Sequence, residues 1–389
     1  FIDAWCSRVK TASKNQVSFE NETFCNQFLD YALPKIWHFI NDIVVVISPP
    51  SAKILDVLKH RNQKNIVVYV DTEGPQTTLE SLTMIEGVHL CKSISDLERT
   101  FALLQAPAKQ VIKISCTTEA SKTEKTISEA INAGKRTRFE NTRTAARFGH
   151  SWATNVAKNL SVIEEAKNIH ELSVKGVEDA VIVASGPSLN KNVDQLCKIQ
   201  DKVFIVTALR SLPVLHEAGV EPDLVIQLDA EDDEVAKQLS PDNQYQIKNF
   251  LFELIVNPGF LQIPAKQKVW SLSQHFFDVH QHFETKPTPW SVPSVSIYAL
   301  CLCHALRFKN IVFIGQDLAA DGSKQYADGA TNLLPAHSKM SMFHIEVPGF
   351  YGKSVMTRNS FEYQIRRCSE LAQNWCQMQS DLNLVNATE

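Results

Sequence analysis

Apolar and polar positions come in blocks along this chain. Short apolar runs rich in Val and Ile are followed by a small-residue or acidic turn and then by a stretch with helical spacing. Such runs read as strands buried on both faces, and their alternation with helices predicts parallel sheets covered by helices. In the first part, Ile43–Ile47 reads as a strand, Ser48-Pro49-Pro50-Ser51 as a turn and Ala52–His60 as a helix. Ile66–Val70 is a second strand ending at Asp71, with Val88–Leu90 and Val111–Ser115 as weaker candidates. Residues 117–150 are polar and hold a basic cluster of Lys135, Arg136, Arg138, Arg143 and Arg147, an anion site or simply a solvated helix surface. Helical spacing returns from Ser151 to Leu172 through Trp152, Val156, Leu160 and Ile163.

The second set is clearer. Strand Ala180–Ala184 stops at Ser185-Gly186-Pro187-Ser188, and a helix pattern begins near Asn190. Strand Val203–Val206 leads through Thr207-Ala208-Leu209-Arg210 to a helix stopped at Gly219. Strand Leu224–Leu228 ends at Asp229, and Phe250–Val256 and Val269–Leu272 are further strands. Ser294–Phe308 reads as a helix, and strand Ile311–Ile314 ends at Gly315-Gln316-Asp317. The fold class expected is therefore α/β, with two Rossmann-like, doubly wound domains on mostly parallel sheets. The expected divisions are a helical segment (1–30), a first α/β domain (31–150), a connecting helix (151–175) and a second α/β domain (176–389).

Composition narrows the function classes. At 389 residues there is room for two domains. A hydrophobic content of 44%, a charged content of 21% and a formal net charge of -4 describe a globular chain with no basic excess for nucleic acid or an anionic membrane surface. No apolar run approaches the roughly 20 residues of a membrane span. No signal peptide is visible, and Phe1 in place of Met implies trimming or a fragment. Nine cysteines are scattered without zinc spacing, which suits buried free thiols in a reducing cytoplasm.

Candidate chemistry lies at the strand ends. A strand running through a small-residue turn into a helix is where α/β proteins hold phosphates, because free amides and the helix dipole face an anion there. Gly186 allows close backbone approach and Pro187 stiffens the turn. An ordinary strand-to-helix turn is the plainer reading. Three polar signals share the carboxyl ends of strands: Ser185-Gly186-Pro187-Ser188, Asp229 and Gly315-Gln316-Asp317. Their common position favours one ligand site, although a strand-end carboxylate also serves as a helix cap.

Residues 151–389 resemble the motility accessory factor (Maf) family of bacterial flagellin glycosyltransferases. The resemblance runs through Trp152-Ala153-Thr154-Asn155, Ser185-Gly186-Pro187-Ser188-Leu189 and Thr207-Ala208-Leu209-Arg210. It continues through Glu221-Pro222-Asp223-Leu224-Val225 to Asp229, then Gly315-Gln316-Asp317-Leu318-Ala319 with Tyr326-Ala327. Gly352-Lys353-Ser354-Val355-Met356-Thr357 and Asn386-Ala387-Thr388-Glu389 complete it. The first α/β set resembles the family's N-terminal region more weakly, and the family's C-terminal helical domain is expected to be absent or truncated. The family's core is similar to bacterial sialyltransferases, which share the Gly-Pro-Ser-Leu turn and a Gly-x-Asp strand end followed by a tyrosine. The chain departs from those enzymes at Ala319, where they carry a second tyrosine, and at Gly349-Phe350, where they carry a histidine base after a glycine.

The resemblance implies transfer of a nonulosonic acid, of pseudaminic or legionaminic type, from a CMP-sugar to Ser or Thr of flagellin in the cytoplasm. No cofactor and no metal is required by that chemistry. The donor would be held by Ser185, Gly186, Pro187, Ser188, Thr207, Ala208, Arg210, Asp229, Gly315 and Gln316. Tyr326 would donate to the departing phosphate, and Asp317 would order the loop between. The acceptor hydroxyl needs a base; His337 and His344 follow Tyr326 in the chain, with Asp229 and Asp317 as competitors. Two other readings stay open. One is a pterin diphosphokinase using ATP and Mg²⁺, which shares the Gly-Pro-Ser-Leu turn. The other is a non-enzymatic flagellin-binding assembly factor.

Overall fold

The computed structural model describes residues 16–18, 43–47, 66–69, 88–104, 111–115, 120–174, 176–230, 245, 247–274, 276–288, 290, 292, 294–320, 325–330, 343–349, 352 and 354–388. The chain divides into two compact units, Phe1–Arg147 and Phe148–Glu389.

In the first unit, strands β1 (Gln16–Ser18), β2 (Ile43–Ile47), β3 (Ile66–Tyr69), β4 (Val88–Cys91) and β5 (Val111–Ser115) form one sheet in the order β1-β5-β2-β3-β4. All its neighbouring pairs are parallel. Helix α1 (Ile94–Leu103) begins at Ser93, whose hydroxyl accepts from the Asp96 N–H, and buries Leu97 and Phe101. Those two pack with Val67, Tyr69 and Cys91 of the sheet and Ile127 and Ile131 of helix α2 (Ala120–Asn159). Part of the segment expected to be helical, 1–30, is instead strand β1; the rest of it lies outside the described residues.

Helix α2 runs unbroken for 40 residues, across the polar stretch where apolar spacing fades. Ile127 and Ile131 keep a buried face at its start, and periodicity fails beyond Gly134, where Arg136, Arg143 and Arg147 are all exposed. Good helix formers carry the helix on without an apolar stripe. The expected connecting helix over 151–175 is corrected accordingly. Helix α2 ends at Asn159, and a short helix (Val162–Glu165) and strand β6 (Lys167–Asn168) follow.

The second unit is built on eight parallel strands. They are β6, β7 (Asp179–Val183), β8 (Phe204–Ala208), β9 (Leu224–Gln227), β10 (Ile247–Glu253), β11 (Ala265–Ser271), β12 (Asn310–Ile314) and β15 (Asn383–Asn386). Their order is β15-β12-β7-β8-β9-β10-β11-β6, with every neighbouring pair parallel. The continuous apolar runs split between two faces by the period of 2. Ala180, Ile182, Phe204, Val206, Leu224 and Ile226 enter one core with helix α5 (Val295–Ala305). Val181, Val183 and Ile205 enter the opposite core with helices α3 (Leu189–Ile199) and α4 (Leu212–Glu217). Helix α5 is buried nearly all round, so Cys301 and Cys303 are both enclosed although they lie on different faces; burial lifts the Cys301 thiol to about 12. A hairpin of β13 (Ile345–Pro348) and β14 (Ser354–Thr357), then helix α6 (Asn359–Met378), follow β12. Phe361, Ile365, Cys368, Leu371 and Trp375 recur at helical spacing and are the signal that identifies α6.

Several motifs turn out to hold the fold at places away from the ligand crevice. The Asn155 side chain donates to the Ile255 carbonyl, and that of Asn159 to Leu254 and Val256, pinning the end of α2 to the turn after β10. The Asp223 carboxylate accepts from the Ile205 N–H and pairs with Lys248 at the amino ends of β8–β10.

Candidate functional site

Strand β7 lies between β8 and β12. The chain leaves β7 toward β8 and returns later to β12 on the other side, so the order reverses between these neighbours. In an open α/β sheet a crevice forms beyond the carboxyl ends at such a point. A pocket of about 300 Å³ occupies it. Its floor is apolar, with Ile182, Val183, Val295 and Ala299. Its polar groups come from four strand ends, from the start of α5, from the Tyr326 segment and from Gln364 of α6.

The two loops that meet here are bonded to each other. The Ala184 N–H donates to the Ile314 carbonyl at 2.9 Å and the Gly186 N–H to the Gly315 carbonyl at 2.8 Å. The Ser188 N–H and hydroxyl both donate to Asp317 Oδ2, at 3.2 and 2.9 Å. Asp317 thus holds the amino end of α3 as a carboxylate does. Burial pushes its carboxyl pKa up, and the Ser188 bonds and Lys191 pull it back. The close fit explains the glycines. A Cβ on Gly186 would lie 2.0 Å from Asp317 Oδ2, and Gly315 has φ +67. Leu318 also has positive φ, at 48, and its carbonyl is held by the Thr357 hydroxyl at 2.6 Å.

The Tyr326 segment is laced to the same rim. The Ala327 N–H donates to the Ser185 carbonyl, and Asn190 exchanges bonds with the Asp328 backbone. Tyr326 is half-buried, with the Arg210 guanidinium 5.0 Å from its ring centroid. Its hydroxyl accepts from Gln325 Nε2 at 3.1 Å. Burial lowers the Arg358 pKa, and interaction with that hydroxyl opposes the fall. Sequence reasoning missed Gln325 and Arg358. Gln325 neighbours the tyrosine in the chain, whereas Arg358 reaches it only through the fold.

Of the residues singled out from sequence, Ser185, Gly186, Thr207, Ala208, Arg210, Asp229, Gly315, Gln316, Asp317 and Tyr326 all line the pocket. Pro187 and Ser188 are buried beside it without lining it. Thr207 is fully enclosed, and its hydroxyl bonds to the Val183 and Ala208 carbonyls. The Gln316 N–H donates to the Thr388 hydroxyl, which gives the closing Asn-Ala-Thr segment its place against β12. His344 is exposed and does not line the pocket; His337 lies outside the described residues. Among the described residues no three His, Cys, Asp or Glu gather as metal ligands.

Asp229 opens to solvent at the rim, yet protein crowds its other sides; this burial raises its pKa, and Arg210 opposes the rise. Glu253, at the end of the neighbouring strand, is pushed up to about 7 by burial, with Asp229 adding to the rise and a Ser273 backbone bond opposing it. A carboxyl with a raised folded pKa stabilises the protein most below its unfolded value, about 4.3. That stability is lost as pH climbs through 4.5 to 7. Urea unfolding at pH 5 and pH 8 is expected to show a decline whose Glu253 share is on the order of 2 kcal/mol. Glu253→Gln should make the decline shallower; an unaltered slope would assign it elsewhere.

Comparison with known proteins follows the same lines. Residues 150–323 match the family model described as MptE-like, 6-hydroxymethylpterin diphosphokinase MptE-like. A Maf glycosyltransferase structure from Magnetospirillum magneticum AMB-1 superposes over 100% of this chain with a TM-score of 0.60. The chain has the fold of a Maf glycosyltransferase. The two sequences are 12% identical, and the match spans 64% of that structure's chain. No curated relative matches the sequence. Among the described residues no helix is long and apolar enough to cross a membrane.

Proposed function

We propose that the chain is a cytoplasmic glycosyltransferase that moves a nonulosonic acid from a CMP-sugar to Ser or Thr of flagellin. The observation that carries this reading is the convergence of the Gly186 turn, the Asp317 loop and Tyr326 on one pocket at the β7/β12 crevice. The pocket volume of about 300 Å³ stands at the lower bound of small-ligand sites, about 300–1,000 Å³. Its apolar floor and hydrogen-bonding walls suit a base and ribose, with the sugar extending toward the mouth. Two guanidiniums around Tyr326 suit an anionic leaving group. As the acceptor oxygen bonds to the anomeric carbon, the bond to phosphate breaks and negative charge collects on CMP. A tyrosine O–H aimed at that oxygen lowers the barrier. Asp229, accessible at the rim, is the described carboxylate best placed to take the acceptor's proton; His337 is the alternative that follows the tyrosine in sequence.

The family-model match favours a second reading, diphosphate transfer from ATP to a pterin alcohol with Mg²⁺. Melting curves separate the two. A ligand present at 100 times its Kd stabilises by about 2.7 kcal/mol. CMP is expected to raise the melting temperature and ATP with Mg²⁺ to leave it unchanged; the reverse would favour the kinase. Transfer of a CMP-nonulosonate to purified flagellin then tests the donor and acceptor together, and its absence alongside CMP binding would favour a non-enzymatic assembly factor.

A further inference from the structure

Arg358 places its charge between two aromatic rings, Phe361 and Phe343, with no carboxylate beside it among the described residues. It is half-buried at the start of α6, its guanidinium 4.0 Å from the centroid of Phe361, which lines the pocket; Arg358 itself stands just behind that lining. The Tyr326 hydroxyl is the neighbour that supports its charge against the cost of burial. Its Nε is enclosed without a partner among the described residues. A cation withdrawn from water is costly unless an anion meets it. A guanidinium offers a planar fork of donors that matches phosphate. Tyr326 supplies a neighbouring donor, since its oxygen accepts from Gln325 and its own O–H is left to give.

The turn at Gly186 presents the opposite situation. Its Gly186 and Ser188 amides are already bonded to the Gly315 carbonyl and the Asp317 carboxylate. Asp317 itself is the anion at the amino end of α3, so a second anion there would meet its charge.

We propose that Arg358 and the Tyr326 hydroxyl bind the phosphate of a nucleotide ligand, and that the Gly186 turn shapes the pocket without holding that phosphate. The inference deepens the transferase reading and rests on it for the nucleotide being a cytidine one. Calorimetric binding of CMP, cytidine, ATP and adenosine to the full chain tests it, because each pair isolates the phosphate contribution. The wild type is expected to bind CMP at least tenfold more tightly than cytidine. Arg358→Met should erase that ratio while cytidine affinity holds. If Arg358→Met does not fold, Arg358→Lys keeps the charge without the fork and should lower the ratio at least threefold. A ratio equal to the wild type in the folded variant overturns the proposal, as does an equal weakening of CMP and cytidine. Loss of the ratio in Ser188→Ala with its survival in Arg358→Met puts the phosphate at the turn and also overturns it. If ATP binds and CMP does not, the cytidine reading fails and the ATP–adenosine ratio judges Arg358 by the same criteria. If none of the four binds, both fall.

Discussion

Gly186→Leu is expected to abolish CMP binding and to destabilise the protein by about 3 kcal/mol, the upper end of what forced overpacking costs. A side chain that merely plugged the ligand pocket would leave the fold intact. The structure moves the first collision inside the protein. The added Cβ alone would sit 2.0 Å from Asp317 Oδ2 and 2.6 Å from the Gly315 carbonyl oxygen. Either the Asp317 carboxylate leaves Ser188 or the two strand ends separate. The first outcome uncaps α3; the second breaks the 2.8 Å bond from the Gly186 N–H to Gly315. Gly186→Ala should therefore already lower the urea midpoint and weaken CMP. Full stability with unimpaired CMP binding in the leucine variant would remove this junction from both fold and site. Gly315→Ala should behave alike, because its φ of +67 excludes most side chains and its Cβ would lie 2.3 Å from the Ala184 carbonyl oxygen.

Tyr326→Phe is expected to lower the turnover of sugar transfer by about tenfold or more, equivalent to at least about 1.4 kcal/mol of lost transition-state stabilisation. The ring, the cation above it and the backbone bond of Ala327 to Ser185 all survive the change. What is lost is the hydroxyl between Gln325 and Arg358. Substrate KM should change less than kcat, because the O–H is asked to stabilise charge that develops only as the sugar departs. A kcat equal to the wild type would strip Tyr326 of the leaving-group role and leave it a packing partner of Arg210.

The two predictions act on the same few residues, yet those residues were visible to different degrees in the sequence. Gly186 and Asp317 stood at the ends of apolar runs, where a parallel sheet puts its ligands, and both line the pocket. That Asp317 fills the amino end of α3 itself was not visible, because nothing local says which strand end neighbours which. Arg358 precedes α6, whose apolar spacing marks a helix but says nothing of what the residue at its start faces. The histidines show the converse. Position in the chain suggested His344 as a base, and the fold leaves it exposed, without lining the pocket, its N–H bonded to the Thr357 carbonyl.

The sequence by itself determined the layering. Val and Ile runs buried on both faces admit little besides parallel strands under helices, and β7, β8 and β9 of the second unit bear this out. It also determined where polar residues interrupt those runs, and so which residues stand at the carboxyl edge. Everything else depends on long-range packing. Strand order follows from which hydrophobic faces pack best across long loops, an energy summed over the whole core. That order set β12 beside β7 and brought Asp317 onto Ser188.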